Sequence, residues 1–174
     1  MRKLQNKFTR PRVLWDTALI AEDKEILKEY GLRRKKEIWA IKSLVSNFRR
    51  RARELNAIKN QEKEKELLEK INKLGFIKAG SLDDVLSLNI KNVLDRRLQT
   101  IIHKKGFAKT PLQARQLIVH GHVTVDGRKT NFPSYLVPLS EEDGIGVTMD
   151  IQKLKTPSVQ IPKQKQEAPI AERE

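Results

Sequence analysis

The 174-residue sequence contains no cysteine, which excludes disulfide bonds, thiol catalysis and zinc sites with cysteine ligands. It also lacks any run of about 18 or more apolar residues, so we expect no membrane-spanning helix. The charged residues at the amino terminus are not followed by an apolar stretch, and we therefore expect no secretory signal. Hydrophobic residues make up 38% of the chain and aromatic residues 5%, which is little material for one large core. These shortages favour a soluble, cytoplasmic protein with one or two small domains.

Positive charge is what the sequence has in excess. Lys and Arg number 36 against 22 Asp and Glu, so the net charge is +14. The net charge is +10 in residues 1–60, zero in 61–93, +6 in 94–138 and −2 in 139–174. Two basic regions on either side of a neutral one predict two contact surfaces for one polyanion, and nucleic acid is the leading candidate.

Apolar periodicity and capping residues predict a mainly helical chain. Helices are expected over 17–30, 37–55, 61–74, from Ser81 towards 93, over 94–103 and over 111–120. Asp126-Gly127 between short apolar and polar alternations predicts a tight β-hairpin over 122–130. From Thr156 onward the composition predicts a flexible or partner-ordered tail.

These segments together predict an α+β protein with four parts. We expect a basic extended arm over 1–16, a helical N-terminal domain over 17–93, an RNA-binding module over 94–150 and a C-terminal tail over 151–174. The module is expected to combine a helix–loop–helix with a small antiparallel β-hairpin sheet.

The predicted helix over 37–55 has an apolar face and, beside it, a basic one. A row of charges is often only a solvated surface, but the guanidinium groups here suit phosphate recognition better than solubility requires. We therefore predict RNA contacts from this helix and from the arm. The predicted residues are Lys42, Arg49, Arg50, Arg53, Arg10 and Arg12.

Basic and amide side chains also recur through residues 94–130. The start of the 111–120 helix, with Thr110 as its cap and Pro111 in its first turn, is expected to offer free N–H groups to a phosphate. The predicted RNA-binding residues of this region are Arg96, Arg97, Thr100, Lys104, Lys105, Lys109, Thr110, Gln113, Arg115, Gln116, His120 and Lys129.

Several short motifs are clustered in the same region. They are Arg97-Leu98, Gly106-Phe107-Ala108, Ala114-Arg115-Gln116-Leu117, His120-Gly121-His122-Val123, Val125-Asp126-Gly127 and Pro133-Ser134-Tyr135. Together they resemble the RNA-binding module named after small-subunit ribosomal protein four, the S-four domain. Upstream, Glu29-Tyr30-Gly31-Leu32-Arg33, Lys36-Glu37-Ile38-Trp39 and Arg50-Arg51-Ala52-Arg53-Glu54-Leu55 resemble the archaeal and eukaryotic branch of that ribosomal family. The likeness covers roughly residues 14–150.

The resemblance implies a primary binder of small-subunit rRNA that nucleates assembly of the subunit body. It also implies a ribosome-bound position near the mRNA entry path, beside the five-type small-subunit protein, and an influence on decoding accuracy. Many relatives hold a metal through cysteines in the arm, so the cysteine-free chain is expected to hold none and to need no cofactor. Where many modules have Asp this chain has Gln99, and where they have Ser-Arg it has Thr110-Pro111. The Arg of that pair often reaches RNA in the family, so its loss here shifts the expected contacts towards Lys109, Arg115 and the backbone donors at the helix start.

Three other functions were weighed against the ribosomal one. An enzyme carrying this module needs a catalytic domain, and the sequence has no Gly-rich phosphate loop or nucleophile–base pair. A metal site at His120 and His122 lacks further ligands at suitable spacing. A free-standing RNA chaperone or stalled-ribosome factor would not need the arm, the upstream motifs or the tail. Cosedimentation with small subunits after a high-salt wash separates that alternative from a ribosomal protein.

Overall fold

The computed structural model describes residues 6, 8–13 and 15–148, and these form seven α-helices and three short β-strands. The helices are α1 (Thr17–Glu29), α2 (Lys35–Ile58), α3 (Gln61–Leu74), α4 (Leu82–Leu86), α5 (Ile90–Asp95), α6 (Leu98–Lys104) and α7 (Pro111–Val119), and the strands are β1 (Val123–Val125), β2 (Arg128–Lys129) and β3 (Ile145–Val147). This architecture confirms the predicted α+β class. The predicted tail lies outside the described residues. In the described part of the chain, no helix is long and apolar enough to cross a membrane.

Several helices begin at the residues that the sequence predicts, but α2 extends beyond the expected 37–55, and the helix expected from Ser81 towards 93 is divided into α4 and α5. The Asp16 carboxylate accepts a hydrogen bond from the Ala18 amide (3.0 Å) at the start of α1, and Asn60 caps α3 in the same way. At α4, Ser81 and Asp84 form a reciprocal capping box. The Gly80 and Ser81 amides donate to the Asp84 carboxylate and lower its pKa. Local capping therefore fixes the predicted helix starts.

The buried apolar side chains fall into two clusters that define two lobes. The helical lobe is formed by α1 to α5 around residues such as Ile38, Ile71 and Leu88. The module lobe is formed by α6, α7 and the sheet around residues such as Ile102 and Ile118. Each cluster is small, as expected for a chain with few hydrophobic residues.

The lobes meet at a break that the sequence did not predict. One helix was expected over 94–103, but α5 ends at Asp95 and α6 begins only at Leu98. Between them Arg97 has an extended backbone and forms an isolated β-bridge with Leu136. The Leu98 amide donates to the Tyr135 carbonyl (2.8 Å). Leu94 and Leu98 are spaced four apart and lie in the two different clusters. This spacing suits one continuous helix, and it suits two helices that face different cores equally well. Apolar periodicity therefore did not reveal the break.

The hairpin forms at the predicted position. Asp126 (φ 47°) and Gly127 (φ 74°) both occupy the left-handed region that a type I′ turn requires. The structure adds the strand β3, which pairs antiparallel with β1, so the sheet order is β2-β1-β3. With three residues, β3 is too short to give a recognisable alternation in the sequence.

Polar and steric contacts fix the lobes against each other. The buried Gln99 amide donates to the Tyr30 and Gly31 carbonyls (3.1 and 3.0 Å) and lies 2.9 Å from the Pro111 carbonyl. Gly31 (φ 59°) packs so closely that an added Cβ would lie 2.7 Å from the Pro111 Cβ. The corner between α1 and α2 is therefore set directly behind the start of α7. An Asp side chain in place of Gln99 would have no N–H to donate to these carbonyls.

Candidate nucleic-acid interface

The start of α7 is largely occupied by contacts within the protein. Thr110 caps the helix by accepting a hydrogen bond from the Gln113 amide (3.2 Å), and the Gln113 side chain accepts one from the Lys109 amide (3.0 Å). The Leu112 amide lies against Gly31. The predicted use of free N–H groups at this helix start is therefore limited. The Lys109 side chain remains exposed and carries the charge at this point.

Arg97 and Arg115 are both predicted to bind RNA, but in the structure they do not face solvent. Both guanidinium groups bind one carboxylate. Arg97 Nη2 lies 2.7 Å from Glu37 Oε2, and Arg115 donates to both oxygens of Glu37 at 3.0 and 3.1 Å. The Arg97 residue is only 2% exposed. We call these three residues the Glu37 cluster. It links α2 of the helical lobe to α6 and α7, so both arginines serve the junction between the lobes.

The Glu37 cluster keeps its charges. Burial opposes ionisation of Glu37, but the hydrogen bonds from Arg115 and Arg97 outweigh it and lower the pKa of the carboxyl. Burial lowers the pKa of the Arg97 guanidinium, and Glu37 partly offsets this effect. An arginine does not lose its proton in proteins, so the cluster remains ionic at neutral pH.

Two further predicted RNA contacts also point inward. The buried Thr100 hydroxyl donates to the Leu94 carbonyl (2.8 Å). Arg96 donates to Glu142 Oε2 and to the Val137 carbonyl, at 2.7 and 2.8 Å. Like Arg97, the Thr100 and Arg96 side chains therefore bind groups of the protein itself. They do so because the helix break turns this segment inward.

The remaining predicted residues of the module form a polar and basic surface, which is exposed except at the half-buried Gln113. Lys104 pairs with Asp95 (3.1 Å) at a half-exposed site, and Lys105 donates to the Glu142 carbonyl. His120 ends α7 and stacks on His122 with ring centroids 6.3 Å apart. We call this set the module surface. Its members are Lys104, Lys105, Lys109, Gln113, Gln116, His120 and Lys129.

The predicted basic face of α2 divides into two groups. Lys42 pairs with the buried Asp23 (2.8 Å), and Arg49 Nη2 donates to the Leu88 carbonyl (2.7 Å). These two side chains hold the helical lobe together. Arg50, Arg51 and Arg53 are exposed, and we call them the α2 strip. Arg50 has only a loose, exposed contact with Glu54 (3.6 Å).

The described part of the arm is non-helical and lies along α2. Phe8 packs against Trp39 with ring centroids 5.9 Å apart, and the Thr9 amide donates to the Ser43 hydroxyl (3.0 Å). Arg10 and Arg12, which are predicted to bind RNA, follow and are exposed. The arm therefore adds two cations close to the helical lobe.

Two features were missed from the sequence. Arg128 is exposed beside Lys129 on β2, and the Phe132 side chain is exposed just beyond that strand. Arg128 could have been predicted, because it is adjacent to Lys129 in the predicted hairpin. For Phe132 no pattern was available, because exposure of a single aromatic residue depends on how the loop packs.

A groove of 590 Å³ runs between α2, α5 and residues 134–136. Its floor is mostly apolar and includes Leu44, Phe48 and Leu136, and its rim carries Lys36 and Arg51. The groove was not predicted, because it arises from segments far apart in the chain. Because Arg51 belongs to the α2 strip, the groove joins that strip to Lys36 on the same rim.

Cations without strong carboxylate partners can bind phosphates and release counterions, which is the chemistry that this surface supports. Among the described residues, no group of three or more His, Asp or Glu side chains is placed to hold a metal ion. Electrostatic recognition of a polyanion is therefore the property that the geometry favours.

Comparison with known proteins gives matches to both lobes. The family model described as S4 domain matches residues 96–143. The chain is 46% identical to the small ribosomal subunit protein uS4 of Methanococcus aeolicus over 149 residues, covering 83% of this chain and 84% of that protein. It is 46% identical to the protein of the same name from Metallosphaera sedula, with 83% of each chain covered. For the protein of that name from Korarchaeum cryptofilum the identity is 45%, covering 83% of this chain and 89% of the relative.

Proposed function

The chain belongs to the family of small ribosomal subunit protein uS4, and on this premise we propose that it is a structural, non-enzymatic constituent of the small ribosomal subunit. It binds small-subunit rRNA through the module surface and the α2 strip. The observation that carries this proposal is a set of exposed cations on both lobes. It is supported by a match to the uS4 family that extends well beyond the module. A free-standing chaperone would not require that extension.

The finer parts of the proposal come from the family resemblance. They are nucleation of the subunit body during assembly, a position near the mRNA entry path beside the five-type small-subunit protein, and an influence on decoding accuracy. A rigid pair of lobes supports a role in assembly, because two basic surfaces held at a fixed distance can bring two rRNA segments together. Residence on cytoplasmic ribosomes follows from the same proposal.

Paired removal of Lys109 and Lys129 tests the rRNA contact. We expect Lys109→Ala with Lys129→Ala to weaken binding to a transcript of Methanococcus aeolicus small-subunit rRNA by about tenfold or more at 0.1 M salt. The slope of log K against log salt should fall in magnitude by about 1.5, since roughly two phosphate contacts are lost. Filter binding of the full chain between low and high salt measures both quantities.

A matched pair of lysines on α3 provides the control. Lys65 and Lys73 are exposed on α3 and belong to neither the module surface nor the α2 strip, and their removal changes the net charge by the same amount. We expect Lys65→Ala with Lys73→Ala to leave the slope nearly unchanged. Equal slopes for both double variants would contradict a specific contact, and release of the wild-type chain from small subunits at moderate salt would contradict the ribosomal assignment.

A further inference from the structure

Phe132 is the strongest unexplained feature of the module lobe. The residue is 72% exposed, although it lies in a region that the family model matches. A solvated aromatic ring gains nothing for folding, and an exposed ring on a nucleic-acid-binding surface is available for stacking.

The backbone around Phe132 is fixed on both sides. The Thr130 amide donates to the Val123 carbonyl, and the Tyr135 amide donates to the Phe132 carbonyl, both at 3.1 Å. Pro133 restricts the backbone of Phe132 to extended conformations. The Tyr135 hydroxyl donates to Glu141 Oε2 (2.7 Å), which secures the far end of the turn. The ring is thus presented on an ordered loop.

The neighbours of Phe132 along the chain are cationic or polar. Arg128 and Lys129 are exposed, and neither forms a salt bridge with a carboxylate in the described part of the chain. Lys129 extends back over Gly121, where an added Cβ would lie 3.0 Å from the Lys129 ammonium. Asn131 and Ser134, on either side of the Phe132-Pro133 pair, are exposed as well. Tyr135 of the same turn is also exposed (37%), with its hydroxyl bonded to Glu141. Because the other exposed residues of this segment are charged or polar, it is a poor site for an apolar protein segment, which needs a continuous apolar patch.

We propose that Phe132 is a stacking platform for one unpaired base of small-subunit rRNA, with Arg128 and Lys129 on the adjacent phosphates. This inference rests on the proposed rRNA binding and adds a contact with a base to contacts with the backbone. A nucleotide has a planar apolar base between two anionic phosphates, and this segment offers a planar ring that follows two exposed cations by four and three residues. The contact selects an unpaired nucleotide over a paired one, because a base inside a helix has no free face.

Substitutions at Phe132 in the full chain test the stacking contact. Base–aromatic stacking contributes about 1–3 kcal/mol by alanine substitution, so Phe132→Ala should weaken binding to the Methanococcus aeolicus transcript by about 5- to 150-fold. Phe132→Leu keeps an apolar side chain without a π face and should be similarly impaired. Phe132→Trp should bind like the wild type. The salt slope should stay unchanged in all three, because no phosphate contact is lost.

Ile58 at the end of α2 is the matched control, since its side chain is 70% exposed. Ile58→Ala should bind normally. Normal binding by Phe132→Leu, or a changed salt slope for Phe132→Ala, would overturn the stacking assignment. If Lys109→Ala with Lys129→Ala lowers the slope while Phe132→Ala has no effect, only this inference fails. A wild-type chain without salt-dependent rRNA binding removes the proposed function as well.

A photo-crosslinker gives a second readout that does not depend on affinity. With p-benzoylphenylalanine at position 132, the full chain assembled into small subunits should crosslink to rRNA at an unpaired nucleotide. Crosslinking to a ribosomal protein, or to a paired nucleotide, would overturn the proposal.

Thermal unfolding of Phe132→Ala should match that of the wild type, because the exposed ring contributes little to the core.

Discussion

At the scale of single residues, the Glu37 cluster determines which cations remain available for RNA. Arg97 and Lys104 look equivalent in the sequence, since both are basic residues in a positively charged segment. In the structure Arg97 is buried against Glu37, whereas Lys104 is half exposed beside Asp95. A charge is visible in the sequence but its partner is not, because the partner of Arg97 is 60 residues away. For this reason the sequence could identify the basic residues but could not show which of them the fold buries.

We expect Glu37→Gln to destabilise the fold strongly. The substitution leaves Arg97 buried without a full counter-charge, and breaking a buried ion pair from one side costs about 3–5 kcal/mol. The matched control is Glu54→Gln on the same helix, whose exposed pair with Arg50 contributes less than about 1 kcal/mol. Urea unfolding at neutral pH measures both. Equal stability of the two variants would contradict the structural role of the Glu37 cluster.

The same residue predicts a pH dependence. The pKa of Glu37 is lowered below its usual 4.5 in the folded protein, so the ionised carboxylate stabilises the fold above that value. This stabilisation is lost as the pH falls below about 4.5 and through the folded-state pKa. Glu37→Gln should therefore lose less stability than the wild type between about pH 5 and pH 3. Parallel losses in the two proteins would contradict the assigned pKa.

At the scale of helices, α2 shows how one element can serve both stability and binding. Its apolar face lies in the core, Lys42 and Arg49 satisfy groups of neighbouring segments, and the α2 strip faces solvent. A helical wheel places Arg49 and Arg53 on the same side, but it cannot show that the Leu88 carbonyl accepts a hydrogen bond from the first of them. Position on a helix alone therefore overestimated the binding surface.

Separate substitutions in α2 distinguish the two roles. Arg50→Ala with Arg53→Ala should weaken rRNA binding and reduce the salt slope by about 1.5, while the unfolding temperature stays unchanged. Arg49→Ala should instead lower the free energy of unfolding by about 1.5–3 kcal/mol, because the Leu88 carbonyl loses a charged donor. Filter binding and thermal unfolding of each variant measure these effects. A loss of affinity confined to Arg49→Ala would reverse the assignment.

Helices were predicted well where the determinants are local. Asp16, Asn60, Ser81 and Thr110 each cap a helix that begins where the sequence indicates. The break before Leu98 and the strand β3 were missed, because both depend on pairing with distant segments. Local sequence thus defined the elements and could not define the junctions.

At the scale of the whole molecule, the two lobes are joined by a junction that is polar, buried and tightly packed. Gln99 joins α6 to the corner after α1 and to the start of α7, and the Glu37 cluster adds an ionic link. We therefore expect the module surface and the α2 strip to keep a fixed separation.

Calorimetry tests this coupling. We expect the wild-type chain to unfold in one transition with equal calorimetric and van't Hoff enthalpies. Gln99→Leu leaves buried carbonyls without a donor and should lower the free energy of unfolding by about 1–3 kcal/mol, with separate transitions for the two lobes. Gln116→Leu, at an exposed position on α7, serves as the matched control and should unfold like the wild type. Two transitions in the wild type would show that the lobes are independent.

The β2 edge of the small sheet has a further consequence for the protein before it binds RNA. The strand β2 has only two residues, and both are exposed cations. A short, positively charged edge is a poor template for pairing with a strand of another copy, since like charges repel and few backbone groups are offered. The side chains that are suited to attract phosphates therefore also protect newly made, unassembled chains from aggregation.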